Sequence, residues 1–177
     1  FVTSPADMAM VAEYVAQGNL RQYADGAFVD ELLAWLRFNK KEALSSLDGL
    51  YARCSGNPEV PHWLGRMFVS GTKPQQQADA DMEKLRSSPG AVVDASDVDD
   101  KAAWVRTGQV YERLALQMTA LEIKSAFLNQ PIEVAELRSQ FQSALGLDRA
   151  APQVLGRYGY AAALPRSLRR PVAQVLI

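Results

Sequence analysis

Residues 101–124, with the sequence KAAWVRTGQVYERLALQMTALEIK, are the stretch that decides the fold class. Apolar residues recur in it at helical spacing and leave almost no wholly polar face, namely Val105, Val110, Tyr111, Leu114, Ala115, Leu116, Met118, Leu121 and Ile123. A helix that is apolar on most sides belongs in the interior of a domain. We therefore predict one long helix here, buried at the centre of the fold.

The segments on either side of this helix predict the rest of the architecture. Residues 97–100 form an acidic turn that places negative charge at the start of the helix. Residues 125–131 are predicted to be a connection. Short strands are predicted over 91–95 and 152–160, and further helices over 5–18, about 27–38, 75–87 and 131–146. This mixture indicates an α+β fold that is rich in helices and has few strands.

Residues 48–73 combine turn-forming residues with large apolar side chains. The turn residues include Ser55–Pro58, and Trp63, Leu64 and Phe68 follow them closely. This composition predicts a long, irregular but ordered loop. Two interpretations stay open, a lid that covers a pocket or a partner subunit and a packed surface loop.

The first residues predict a strand end followed by a helix. Phe1–Thr3 have the character of the last residues of a strand, Ser4 has that of a helix N-cap, and Pro5 suits the first helical position. A strand end without its strand leads us to expect an N-terminally truncated chain, the downstream part of something longer. The alternative is a processed chain with nothing missing.

Composition excludes several classes of protein and site. The 177 residues contain one cysteine and one histidine, which excludes an intrachain disulfide and any site built from several histidines. Lys and Arg number 19 against 20 for Asp and Glu, so the chain has no general electrostatic affinity for nucleic acid or an acidic membrane. No apolar run approaches the roughly 20 residues needed to span a bilayer, and no glycine-rich nucleotide-binding motif is present.

A few residues remain as candidates for chemistry. The cluster Asp94, Asp97, Asp99 and Asp100 lacks the spacing of a calcium loop and is interpreted as helix capping and solvation rather than a metal site. Cys54 is interpreted as an incidental surface thiol, and His62 as structural or solvent-facing. Arginine forks match phosphate oxygens, so a basic cluster between two prolines at the C-terminus, Arg166, Arg169 and Arg170, is either a phosphate site or a solvated tail.

The order of several motifs resembles the downstream part of nitroreductase-family flavoproteins, in particular the Acg-type branch. The motifs are WVRTGQVYERLAL at 104–116, TAL at 119–121, NQPIE at 129–133, PQVLGRYGY at 152–160 and PRSLRRP at 165–171, with ELLAWLRFN at 31–39, DGL at 48–50 and SGNP at 55–58 upstream. No single motif is decisive, but their order and spacing together are fairly specific.

The resemblance implies a central helix under a mainly antiparallel sheet, with FMN at a homodimer interface. It implies a phosphate contact for Ser167, Arg169 and Arg170. It implies that the loop after the central helix approaches the isoalloxazine ring, which corresponds here to Asn129, Gln130, Pro131, Ile132 and Glu133. The family's upstream arginine-rich segment has no counterpart in this chain. The chain is accordingly predicted as one nitroreductase-like domain over 1–177, with 48–73 as a lid-like loop and 161–177 as a C-terminal arm.

The function that follows from the resemblance is that of a cytoplasmic FMN-dependent oxidoreductase. Flavin takes a hydride from NAD(P)H and passes electrons to a nitroaromatic, quinone or similar small aromatic acceptor, so no side chain is named as a catalytic acid or base and no metal is expected. A non-enzymatic flavin-storing stress protein is the alternative, and a helical interaction module without cofactor is a third interpretation.

Overall fold

The computed structural model describes residues 1–176, which form two compact units. The first unit comprises Phe1–Ala24 and Lys73–Ala161, and the second comprises Asp25–Thr72 with the C-terminal segment from Ala162. The described chain is α+β, as predicted.

The first unit packs helices against a small antiparallel sheet. Its elements are α1 (Pro5–Ala24), α5 (Pro74–Arg86), β3 (Gly90–Ser96), α6 (Lys101–Ala120), β4 (Lys124–Phe127), α7 (Gln130–Glu133), α8 (Ala135–Ala144) and β5 (Ala151–Gly159). The strand order is β3-β5-β4, so β5 is central and pairs antiparallel with both neighbours. The predicted strand end near the N-terminus is present as a single antiparallel bridge between Val2 and Ala91.

The second unit is smaller and mainly helical. Its elements are α2 (Gly26–Trp35), β1 (Leu36–Arg37), α3 (Lys40–Ser46), β2 (Leu50–Tyr51), a 3-10 helix at Ala52–Ser55, α4 (His62–Ser70) and a second 3-10 helix at Val172–Gln174. The strands β1 and β2 pair in parallel. Its buried apolar side chains include Leu33, Phe38, Ala43 and Ala52.

The core of the first unit lies where α1, α5 and α8 meet the sheet. Val11, Val15, Leu85, Phe141 and Leu155 are almost completely buried there. Burying side chains of this size contributes about 1.5–3 kcal/mol each relative to leaving them exposed.

The central helix is the largest departure from expectation. α6 ends at Ala120, and of its residues only Ala103, Thr107 and Met118 are buried. Val105 is 63 % exposed and Leu116 is 64 % exposed. The prediction of a buried central helix was therefore wrong for this unit. The three-stranded sheet covers only one stripe of the helix, and apolar residues on the other sides face solvent.

Two glycines lie inside helices where the sequence did not predict helix. The first helix was predicted over 5–18, yet α1 continues past Gly18 to Ala24. A Cβ at Gly18 would lie 2.5 Å from Gln130 Cβ, and one at Gly65 would clash with the Phe38 ring. Both glycines allow close packing inside a helix. Gly65 thus lies within the nine-residue helix α4, and 48–73 is not the irregular loop that was predicted.

The strand β4 was also missed. Residues 125–131 were predicted as a connection, whereas Lys124–Phe127 pair with β5 and α7 begins at Gln130.

None of the helices within residues 1–176 combines the length and the apolar character that a membrane-spanning helix requires.

Candidate functional site

The five residues predicted to approach a flavin ring form one tight helical turn, in which Asn129 precedes the four residues of α7. Asn129 Oδ1 accepts a hydrogen bond from the Leu155 backbone N–H at 2.8 Å. The backbone N–H groups of Ile132 and Glu133 both donate to the Asn129 carbonyl. Pro131 is fully buried, and Ile132 packs against the core. This turn is therefore held by its own polar groups.

Gln130 joins a buried polar network centred on Asp81. The Asp81 carboxylate is 3 % exposed and accepts hydrogen bonds from Asn19 at 3.0 Å, Gln77 at 3.1 Å and Gln130 at 3.2 Å. Lys84 Nζ lies 2.8 Å from its other oxygen. The Gln130 amide also donates to Asn19 Oδ1 at 3.2 Å. Charge-assisted hydrogen bonds of this kind tie α7 to α1 and α5.

Few side-chain groups of this turn are available to a cofactor. Gln130 Oε1 is buried and has no hydrogen-bond partner among the described residues, and Glu133 accepts a bond from Gln22 at 2.8 Å. The Asn129 and Gln130 side chains are thus directed into the protein, where they shape the turn.

The predicted phosphate residues lie in the second unit, beside a basic cleft of about 330 Å³. Leu47, Asp48, Gly49, Leu168, Arg169, Arg170 and Val175 line it. Arg169 donates to Ser167 Oγ and, at 3.2 Å, to the Leu168 carbonyl. Arg170 has no hydrogen bond or ion pair within residues 1–176. Ser167, Arg169 and Arg170 are therefore brought together, and all three are exposed, as is Arg166, which does not line the cleft.

Asp48 is neutralised by a different arginine. Arg37 Nη2 lies 2.8 Å from Asp48 Oδ1, and Arg37 also donates to Ser46 Oγ and to the Ala34 and Leu36 carbonyls. The pKa of Asp48 lies below its usual value, first because Arg37 and Ser46 donate hydrogen bonds to it, and further because Arg37 and Arg170 are positively charged. The cleft therefore keeps two uncompensated arginines with free donors, a donor set that fits a phosphate group.

Among the acidic residues, Asp99 and Asp100 have defined partners. Asp100 caps α6 by accepting from the Ala103 N–H at 2.7 Å, which confirms the capping interpretation for that residue. Asp99 accepts from Trp104 Nε1 at 2.7 Å, Arg138 Nη1 at 2.9 Å and Gln153 Nε2 at 3.0 Å. It therefore joins α6, α8 and β5, a role that its sequence position did not reveal.

The Asp99 network predicts an acid-sensitive contribution to stability. Hydrogen bonds from Gln153, Trp104 and Arg138 lower the pKa of Asp99 from 3.8 to about 2. A carboxylate with a lowered folded-state pKa stabilises the fold above its unfolded pKa and loses that effect as pH falls through the folded value. We expect Asp99→Asn to lower the urea midpoint at neutral pH, and the difference from the parent to shrink between about pH 4 and pH 2. A difference that is constant over this range would contradict the assignment.

His62 and Cys54 lie outside these clusters. The His62 ring contacts the Phe38 ring edge-to-face with centroids 5.6 Å apart, and its Nδ1 lies 3.3 Å from Glu42 Oε2. Burial raises the pKa of Glu42, but hydrogen bonds from the Phe38 N–H, His62 and Asn39 outweigh it and give a net lowering. The His62 side chain is about half exposed and its contacts are with Phe38 and Glu42, while Cys54 is a partly buried free thiol.

Two contributors to these clusters were missed from the sequence. Asp81 follows Ala78 by three residues and precedes Leu85 by four, so it lies on the buried stripe of α5. A carboxylate at that spacing was a usable signal for a buried network. Arg37 gave no comparable signal because its partners depend on the pairing of β1 with β2.

Comparisons with known proteins agree with the predicted resemblance. The chain is 28 % identical over 170 residues to two curated proteins of Mycobacterium tuberculosis, "Putative NAD(P)H nitroreductase MT3217" from strain CDC 1551 / Oshkosh and "Putative NAD(P)H nitroreductase Rv3131" from strain ATCC 25618 / H37Rv. Each match covers 92 % of this chain and 46 % of the relative, so the chain spans about half the length of the curated relatives it matches. No family model matches the chain. No solved structure matches it significantly. Both relatives are named as NAD(P)H nitroreductases, so these matches confirm the predicted resemblance to nitroreductases and do not test the Acg-type branch.

Proposed function

We propose that the chain is part of an FMN-dependent oxidoreductase of nitroreductase type, which passes electrons from NAD(P)H to a nitroaromatic, quinone or similar acceptor. The observation that carries this proposal is the match, over 92 % of the chain, to two relatives whose names include NAD(P)H nitroreductase. The basic cleft supports it, because that cleft offers unpaired arginine donors of the kind that hold a flavin phosphate. Assignment to the Acg-type branch, the single-domain description and a cytoplasmic location stay predictions.

The residues of this chain would bind and orient the cofactor, while bound FMN would supply the redox chemistry. Arg169 and Arg170 would pair with the phosphate, and Ser167 would hold the Arg169 guanidinium in place. The turn of residues 129–133 stays a predicted neighbour of the flavin ring. Because Asn129 and Gln130 are engaged internally, their role would be to fix the shape of that turn.

Steady-state oxidation of NADPH and NADH tests the proposed function against flavin storage. We expect the FMN-loaded protein to oxidise one of the two nucleotides faster when a nitroaromatic or quinone is added, in proportion to protein concentration. Flavin binding without acceptor-dependent oxidation would instead support the storage alternative. Failure to bind any flavin would favour an interaction module without cofactor.

A homodimer is the proposed oligomeric state, and the exposed side of α6 supports it. Val105 is 63 % exposed and Leu116 is 64 % exposed, and their spacing of about three helical turns places both on one side of α6. Exposed apolar surface of this kind marks interaction sites. We expect light scattering to give twice the chain mass at micromolar concentration, and the double variant Val105→Glu, Leu116→Glu to shift it to the monomer mass. The same two charges on the exposed side of α5, Gln76→Glu with Ala80→Glu, should leave the dimer intact. A monomer mass for the parent would contradict this proposal.

The predicted lid is now a proposal about α4 and its neighbours. Trp63 is 67 % exposed and Phe68 58 % exposed, so both offer apolar surface that could cover a bound acceptor. We expect Trp63→Ala to change KM for a bulky acceptor several-fold and to leave the urea midpoint unchanged, because little of the ring is buried. Unchanged acceptor kinetics and unchanged flavin fluorescence would contradict the lid.

A further inference from the structure

Two clefts of the second unit share Gly49 as a common border. One is the basic cleft described above. The other has a volume of about 420 Å³ and is mostly apolar, with a lining of Phe28, Glu31, Leu32, Trp35, Gly49 and Leu50. Asp48 lines only the basic cleft, and Leu50 lines only the apolar one. The Cα atoms of Asp48 and Leu50 are at most about 7 Å apart, because only Gly49 separates these residues along the chain. The two clefts are therefore close neighbours.

The backbone at Gly49 fixes this arrangement. Gly49 has φ +77°, in the left-handed region, and a Cβ there would lie 2.5 Å from the Trp35 carbonyl oxygen and 2.9 Å from Arg37 Cζ. Parallel pairing of Leu36 with Leu50 holds the adjoining strands together. The Arg37 guanidinium spans Ser46 and Asp48 on the same turn. The border between the clefts is therefore braced from several sides.

The charges of the two clefts differ in sign. Arg37 neutralises Asp48, which leaves the positive charges of Arg169 and Arg170 at the basic cleft. Among the described residues that line the apolar cleft, only Glu31 carries a charge, and it is negative. An anionic group is attracted to the basic end and repelled from the apolar end. The half-exposed Trp35 ring offers a stacking surface for the uncharged part of the same molecule.

We propose that these clefts form one bipartite site for an aromatic phosphate, that is, a molecule with both an aromatic ring system and a phosphate, with the ring system against Trp35 and Leu50 and the phosphate against Arg169 and Arg170. The inference rests on the proposed function only through those two arginines, and the ligand class is broader than FMN. Such a site favours a molecule that carries both groups over molecules that carry only one. A molecule that fills both weak subsites loses its translational freedom only once, whereas two separate ligands each lose it.

The test uses 1-naphthyl phosphate, a non-flavin probe, in equilibrium titrations of the whole chain. We expect it to bind at least about tenfold more tightly than either 1-naphthol or inorganic phosphate. Trp35→Leu should weaken naphthyl phosphate binding by about 2- to 10-fold and leave inorganic phosphate unaffected. Arg170→Ala should weaken it by about 10- to 150-fold and leave 1-naphthol unaffected.

Leu44→Ala is the control, because Leu44 is an exposed apolar residue of the same unit, has no part in the proposed lid and lines neither cleft. The inference is overturned if naphthyl phosphate binds no more tightly than its parts, if Trp35→Leu has no effect, or if Leu44→Ala weakens binding equally. Competition by FMN would show that FMN and naphthyl phosphate share the arginines, as the proposed function expects. Tight naphthyl phosphate binding without such competition would support the bipartite site for another aromatic phosphate and contradict the proposed phosphate contact of FMN. Naphthyl phosphate binding by a chain that does not bind FMN would uphold this inference while the proposed function fails.

Discussion

Replacing Arg169 or Arg170 by alanine is expected to weaken FMN binding by roughly 10- to 150-fold. A charge-assisted contact to a phosphate is worth about 1.5–3 kcal/mol, and each 1.4 kcal/mol is about tenfold in affinity. Both guanidinium groups line the basic cleft, and neither has an ion pair in the described chain that would compete with a phosphate. Riboflavin lacks the phosphate, so its affinity should hardly change. Flavin fluorescence titrations of parent and variants measure both ligands.

Arg166→Ala is the matched control for this pair. Arg166 belongs to the same basic segment but does not line the cleft, so FMN should bind this variant as it binds the parent. If Arg169→Ala and Arg170→Ala both bind FMN like the parent, the solvated-tail interpretation holds. The same conclusion follows if the variants lose affinity for FMN and for riboflavin to the same extent.

Asp81→Ala is expected to lower the free energy of unfolding by about 2–4 kcal/mol, the largest stability change we foresee for a single polar residue. The substitution leaves the buried Asn19 amide without its acceptor and removes one of the two hydrogen bonds of the partly buried Gln130 amide, and each such loss costs about 1–3 kcal/mol. Lys84 is half exposed and can turn to solvent, which limits the total. Urea unfolding followed by circular dichroism gives the difference.

Asp79→Ala is the matched control, because it makes the same substitution in α5 outside the Asp81 network. It shows how much of the stability loss comes from an Asp→Ala change in this helix as such. Asp79 lies on the exposed side of α5, where its only hydrogen bond among described residues is from Gln75, so its loss should change stability by less than about 0.5 kcal/mol. A loss below about 1 kcal/mol for Asp81→Ala, or equal losses for both variants, would show that the network is not stabilising.

Local signals in the sequence predicted where the two longest helices begin. Ser4 and Pro5 located the start of α1, and Asp100 located the start of α6. Glycine positions were less informative about turns, because a glycine marks either a turn or a place where another residue packs closely against the backbone. At Gly18 and Gly65 the missing side chain makes room for another residue, and only the tertiary structure shows which neighbour needs that room.

Burial was the least predictable property. The apolar residues of α6 are spaced as in a core helix, yet burial depends on what lies opposite each face, and the first unit, to which α6 belongs, covers only one stripe of it. Likewise, periodicity could place Asp81 on a buried face but could not supply Asn19 and Gln130 as partners from distant helices. The basic cleft also depends on residues that are distant in sequence. Arg169 and Arg170 were predicted for it, while Asp48 and its partner Arg37 were not.

The most direct test of the proposed function is anaerobic mixing of the FMN-loaded protein with NADPH or NADH, followed in the visible absorbance band of the flavin. The proposal predicts that one nucleotide bleaches the band, and that a nitroaromatic or quinone then restores it with matching stoichiometry. If neither nucleotide reduces the bound flavin, the chain is not an NAD(P)H-dependent flavin oxidoreductase and the proposed function is contradicted.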